Sequence, residues 1–260
     1  MSPSAVSTVG LGRRVKENEH GRIITTAAKQ HLAPLGCTRQ GKSRFWFSDE
    51  SFWLIGISFE PSSFGRGTYL LVGVHWLWYV KPYFSFDKIL DISSRSQKPW
   101  VQFESEAQFL PEVERLIARA ASDIELFRNL YSSLSSIAHD LEATANARST
   151  VWQVFHAAVA AALAQERPRS KKLFERVIAE PVHHEWQASL NAEAVHLASL
   201  VSDRDGFRHA ILDRVVQNRG LRRLDVDRER IEMAIGQDQG EQNESRMVHL
   251  NSTLSTDRRG

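Results

Sequence analysis

The chain has 260 residues, 42% apolar and 25% charged, with a formal charge of +2, the balance of an ordinary water-soluble folded protein. That charge is too small to signal a nucleic-acid or membrane partner by itself, and the single cysteine, Cys37, excludes an internal disulfide and a cysteine-rich zinc site. No apolar run reaches the roughly 20 residues of a membrane helix, and Arg13-Arg14 after a weak apolar patch reverses the order of a secretion signal, so a cytoplasmic protein with no membrane partner is expected.

Residues 1–19 are small, polar or charged without periodicity and are expected to form a disordered arm. From 22 to 35 apolar residues recur at helical spacing, Ile23/Ile24, Ala27/Ala28, Leu32 and Leu35, and Pro34 and Gly36 predict a helix stop. The stretch 45–86 then holds 14 of the 24 aromatic residues, which makes it the structural centre. Strands are predicted at 43–48, 52–60 and 68–80, with a further short strand near 100–103. In the longest, the even positions Leu70, Val72, Val74, Trp76, Trp78 and Val80 are all apolar. Alternate side chains of a strand share a face, so this row must be covered, and helices of the same chain are the expected cover.

From residue 105 the pattern becomes helical. Ser105 and Gln108 have the spacing of a capping box. Apolar stripes predict helices over about 105–131, 134–145, 150–163, 168–178, 185–201 and 207–221, with Asp203 as a cap and Pro168 in a first turn. Beyond about 228 the chain turns charged and Gln-rich, and 236–260 is expected to be a disordered tail. The fold class is therefore α+β: a helix packed on an antiparallel sheet of three or four strands (20–104), followed by an α-helical bundle or hairpin array (105–230).

The segments HLAPLG at 31–36 and GKSRFW at 41–46, with their helix stop, basic hairpin and aromatic strand, resemble domain of unknown function 4304 over roughly 22–104. The resemblance implies a bacterial protein of about this size; its motifs are structural, so it transfers no functional residue. The segment 151–180 resembles a tetratricopeptide-type helical hairpin, with Ala157, Ala158 and Ala161 small at the packing face and Phe174 as anchor.

Catalytic and metal patterns are absent from the sequence. His183 and His184 are adjacent, about 100° apart on a helix, and cannot share one ion; no HExxH, GxSxG or phosphate-binding loop occurs. No metal and no cofactor is expected. His75 lies opposite the apolar row, between Tyr69 and Tyr79, and would join them in an aromatic surface beside Gly73 if that face were open. Arg39, Lys42 and Arg44 flank Phe45 and Trp46, the composition of a single-strand-binding surface.

These observations point first to a non-catalytic protein-interaction module, with Tyr69, His75, Tyr79, Arg44 and Trp46 as candidate ligand- or partner-binding residues. The alternatives are a hydrolase or nucleotide-processing enzyme using His75, and a single-stranded nucleic-acid binder using Arg39, Lys42 and Arg44. The reverse face of the long strand is expected either to be covered by the helical half or to stay open for a partner.

Overall fold

In the computed structural model, residues 19–61, 65–90, 100–145 and 150–236 are described. The arm expected over 1–19 and the tail expected over 236–260 fall, but for Glu19 and Gly236, outside the described residues. The first helix, α1 (Glu19–Leu32), buries the predicted stripe Ile23, Ile24, Ala27, Ala28 and Leu32. A 3-10 turn, Ala33–Leu35, carries Pro34 and ends at Gly36 in the left-handed region, φ 82°, where a side chain would be strained.

Six strands follow among the described residues: β1 (Cys37–Arg39), β2 (Phe45–Asp49), β3 (Trp53–Glu60), β4 (Gly67–Trp76), β5 (Lys88–Ile89) and β6 (Val101–Gln102). All pair antiparallel in the order β1-β2-β3-β4-β5, with β6 on β4. The sheet is larger than the three or four strands expected. The added strands have two or three residues each, too few to display the alternation by which strands are recognised.

The register places Trp53, Ile55, Ile57 and Phe59 of β3 opposite Trp76, Val74, Val72 and Leu70 of β4. Opposed residues share a face, and all eight are buried, so the predicted apolar face exists. Helix α2 (Glu106–Leu130), on which α1 packs, lies against β3 and β4. Its N-cap Ser105 accepts from the Gln108 amide, and its Arg128 reaches back to Glu50, to the Ser48 hydroxyl and to the Leu35 carbonyl.

One expectation about β4 is corrected. The strand ends at Trp76, not at Val80, because the chain turns at Leu77 and the buried Asn218 amide donates to the carbonyls of both Leu77 and Tyr79. Trp78 then stacks on Trp76 at 4.4 Å, while Tyr79 leaves the sheet for the helices.

The remaining helices are α3 (Leu134–Ala145), α4 (Val151–Leu163), α5 (Arg167–Ala179), α6 (Glu185–Leu200), α7 (Arg204–Leu221) and α8 (Arg228–Gly236). Five of the six match the predicted periodicity. Helix α8 does not: its Ile231, Ala234 and Ile235 are buried although their surroundings are charged. Helices α4 and α5 pack as a hairpin, with Ser170 donating to the Ala158 carbonyl in the small-residue seam.

Arg219 of α7, fully buried, fastens this half to the sheet. Its guanidinium grips both oxygens of Asp49 at 2.7 Å and donates to the carbonyls of Ser51 and Asp225.

Candidate functional site

The reverse face of β4 has a cover that neither expectation anticipated. The chain after Tyr79 folds back along β4, pairing Ile89 with Gly73 and Lys88 with Val74, and brings Phe84 and Phe86 over that face. Phe84 packs on His75 at 4.6 Å and on Phe45 at 4.3 Å. Gly56 and Gly73 oppose each other on β3 and β4. A β-carbon at Gly73 would lie 2.6 Å from the Lys88 carbonyl and 2.9 Å from Phe86. The chain itself thus makes the close backbone approach that a glycine in a strand permits.

That return also delivers Asp87 to a buried polar cluster. Its amide donates to the Val74 carbonyl, which fixes the carboxylate at the end of β4. There one oxygen accepts from Lys81 at 2.7 Å and Ser85 at 2.8 Å, and the other accepts from the Trp76 amide at 2.9 Å. His75 Nδ1 lies 3.5 Å from the same carboxylate and 2.9 Å from the Ser85 hydroxyl. From α4, His156 Nε2 approaches it to 3.7 Å, while His156 Nδ1 accepts from the Trp78 indole at 2.9 Å.

The Trp78 bond assigns one proton: His156 carries its hydrogen on Nε2 because Nδ1 accepts. Ser85 meets His75 Nδ1 through its hydroxyl at 2.9 Å and through its amide, which donates at 3.4 Å, and His75 Nε2 is left without a partner. Burial lowers the basicity of both imidazoles; His75 falls to about 4. Burial also works against the Asp87 charge, but His156, His75 and Lys81 together outweigh it and hold the carboxyl well below its ordinary range. Lys81 is lowered by burial and supported by Asp87. The cluster at neutral pH is one ion pair, Lys81–Asp87, flanked by two neutral histidines.

Serine, histidine and aspartate meet here, yet the arrangement is not a catalytic triad. A triad places the carboxylate on one ring nitrogen and the nucleophile on the other. Here Ser85 and Asp87 crowd the same nitrogen of His75. The histidines are closed to solvent, and Lys81 and Asp87 are 5% and 8% exposed. Among the described residues no group of three His, Cys, Asp or Glu is placed to hold a metal ion, and no helix is long and apolar enough to cross a membrane.

The predicted site residues separate in space. Tyr69 is half-buried against Trp100, ring centres 4.8 Å apart. His75 is the buried hub just described. Arg44 is half-buried and bonds His20 of α1 at 3.0 Å. Trp46 lies under the helices at 4% exposure, so no base can stack on it. Arg39 spends its guanidinium on the carbonyls of Ser43 and Lys42 in its own hairpin turn.

Tyr79, partly buried like Tyr69 and Arg44, lines an open cleft. It meets Trp152 of α4 edge-on at 4.7 Å. Trp152 stacks on Trp186 of α6 at 5.8 Å and 16°, and Trp186 continues to His184. Trp186 is 44% exposed, and Val182, just before α6, is also exposed. Beside this ledge a cleft of about 360 Å³ is lined by Tyr79, Val80, Ser189, Glu193, Asp213, Arg214 and Gln217, with an Arg214–Glu193 ion pair spanning it. Burial, and next Glu193, push the Tyr79 phenol up. Lys81 of the buried cluster lies 5.7 Å from the Trp152 ring, so the ledge sits directly over the polar hub.

Sequence reasoning missed Lys81, Ser85, Asp87, His156, Trp152 and Trp186. Asp87 stood in an aromatic context, Phe84-Ser85-Phe86-Asp87, where a carboxylate must find buried donors; that was its one available signal. No family model, no curated protein and no solved structure matches the chain.

Proposed function

We propose that this chain is a non-catalytic interaction module whose docking surface is the Tyr79–Trp152–Trp186 ledge and the adjoining cleft. One observation carries the reading: Trp186 leaves 44% of its surface in water while stacked on Trp152. A large indole held rigid by a second one, with polar groups around it, has the make-up of an interface anchor. Holding the ring in place before binding lowers the entropy lost on association. Glu193, Arg214, Asp213 and Gln217 supply a polar rim, which suits a protein segment with an apolar anchor flanked by hydrogen-bonding groups.

The buried hub supports this role from below. It sets the course of residues 77–87 and so the position of Tyr79, leaving the chemistry to whatever docks. The test is affinity capture of binding proteins from the native host with the full chain and with Trp186→Ala. The ring is half in solvent, so the variant keeps its fold. A partner retained by the wild type and lost by Trp186→Ala supports the reading; partners held equally by both refute it.

A further inference from the structure

Seven rings form an unbroken line from the surface into the core. Trp186 stacks on Trp152 at 5.8 Å, Trp152 lies 6.1 Å from His156, and His156 lies 6.1 Å from Trp78. Trp78 stacks on Trp76 at 4.4 Å with planes 4° apart. Trp76, Trp53 and Tyr131 then close a triangle with sides of 5.9, 5.4 and 5.4 Å. Hydrophobic packing asks only for apolar shape. It does not explain why six of the seven rings are indoles or a phenol, the aromatic side chains that lose one electron most readily.

The polar partners along the line have a matching order. At its inner end the Tyr131 hydroxyl donates to Asp140 at 2.8 Å, and Asp140 is itself held by Lys88 at 2.9 Å. An oxidised phenol is a strong acid, and this carboxylate is the base it needs. The indole N–H groups of Trp53 and Trp76 are buried without a hydrogen-bond partner. An indole radical cation there has nowhere to send its proton, so it stays strongly oxidising and passes the vacancy on. Trp78 differs: its N–H rests on His156 Nδ1, which can take the proton and return it, with Asp87 facing the imidazolium.

We propose that this stack is a path for electron vacancies, with Trp186 the entry and Tyr131 the terminus. A one-electron oxidant stronger than the indole radical cation takes an electron from Trp186. Successive ring-to-ring transfers refill it, and the last electron comes from Tyr131. The phenolic proton moves to Asp140, so the products are reduced oxidant, a neutral Tyr131 radical and a protonated Asp140. The path does not depend on the partner-docking reading: it stands if no protein binds the ledge.

The test uses the full chain with Tyr79→Phe and Tyr83→Phe throughout, because Tyr83 is 60% exposed and open to direct oxidation, and the Tyr79 phenol ring lies 4.7 Å from Trp152, close enough to intercept the vacancy. The probe is tris(bipyridine)ruthenium(III), formed by a light flash with a cobalt(III) ammine quencher, and radicals are followed by transient absorption. The expected result is a neutral tyrosyl radical that is lost in Tyr131→Phe and lost in Trp152→Phe. Asp140→Asn keeps a hydrogen-bond acceptor but removes the base, so the signal shifts there from tyrosyl to indole radical. Should Trp152→Phe not fold, Trp186→Phe at the exposed end takes its place, with the same loss expected. A tyrosyl signal that survives Tyr131→Phe, or is undiminished when the chain of indoles is cut, overturns the proposal.

Discussion

Replacing Asp87 with asparagine keeps the shape of the side chain, removes its charge and turns one of its two accepting oxygens into a donor. In the native protein that charge accepts from Lys81, Ser85 and the Trp76 amide and faces two imidazole rings. Asparagine can still accept from the amide, but the Lys81 ammonium, 5% exposed, is left buried without a counter-ion. Removing one partner of a buried pair costs about 3–5 kcal/mol, a large share of a typical folding stability of about 5–15 kcal/mol. Lys81→Met should be comparably damaging, since it leaves the carboxylate with neutral donors only. The double variant removes both charges and should recover about 1–3 kcal/mol relative to the sum of the singles. Urea unfolding followed by tryptophan fluorescence measures all four corners of this cycle, because Trp76 and Trp78 border the cluster. Asp87→Asn within about 1 kcal/mol of wild type, or strictly additive singles, would refute the idea that this ion pair organises the sheet end.

Two further outcomes follow from the same geometry. His75 faces Asp87, Lys81, Arg222 and His156, and burial holds it at about 4, below its ordinary 6.5. Between those values the unfolded chain binds a proton that the folded chain refuses. Stability is therefore full above pH 6.5 and falls as pH drops toward 4, by about 3 kcal/mol at 1.36 kcal/mol per unit; His156 is lowered in the same direction. Urea midpoints across that window check it, and His75→Gln should flatten the slope. Arg219→Met should cost about 3–5 kcal/mol because it strands Asp49 and two carbonyls beside a buried apolar group, and Arg219→Lys should not restore it, since an ammonium cannot make the bidentate contact. Recovery by lysine in the same urea assay would show that the charge alone matters.

Period-based reading worked wherever a segment was long enough to repeat. The row Leu70, Val72, Val74 and Trp76 and the stripes of α1 to α3 and α5 to α7 were legible because each buries one face of a regular element; α4, buried on every side from Val154 to Leu163, was legible from its apolar content. Strands β1 and β5 and the nine-residue α8 were not, being too short to show a period above their charged or irregular surroundings. The reverse face of β4 was misread for a different reason. Its cover, Phe84 and Phe86, comes from an aperiodic segment whose course is set by side-chain bonds to Asp87 and from Asn218 and Arg222. Such bonds join residues up to 141 positions apart and leave no local pattern. The candidate site shares that difficulty: Tyr79 could be singled out as a strand aromatic, but Trp152 and Trp186 looked like ordinary helix positions until three elements brought them to one surface.

The central claim, that the ledge at Tyr79, Trp152 and Trp186 is where a partner binds, is tested most directly by hydrogen–deuterium exchange on the full chain with and without the captured partner. The account predicts new protection in the first turns of α6 and across residues 79–81, with the β1–β2 hairpin around Arg39 and Lys42 unchanged. Protection centred on that hairpin or on Tyr69, with the start of α6 exchanging as in the free protein, would contradict it.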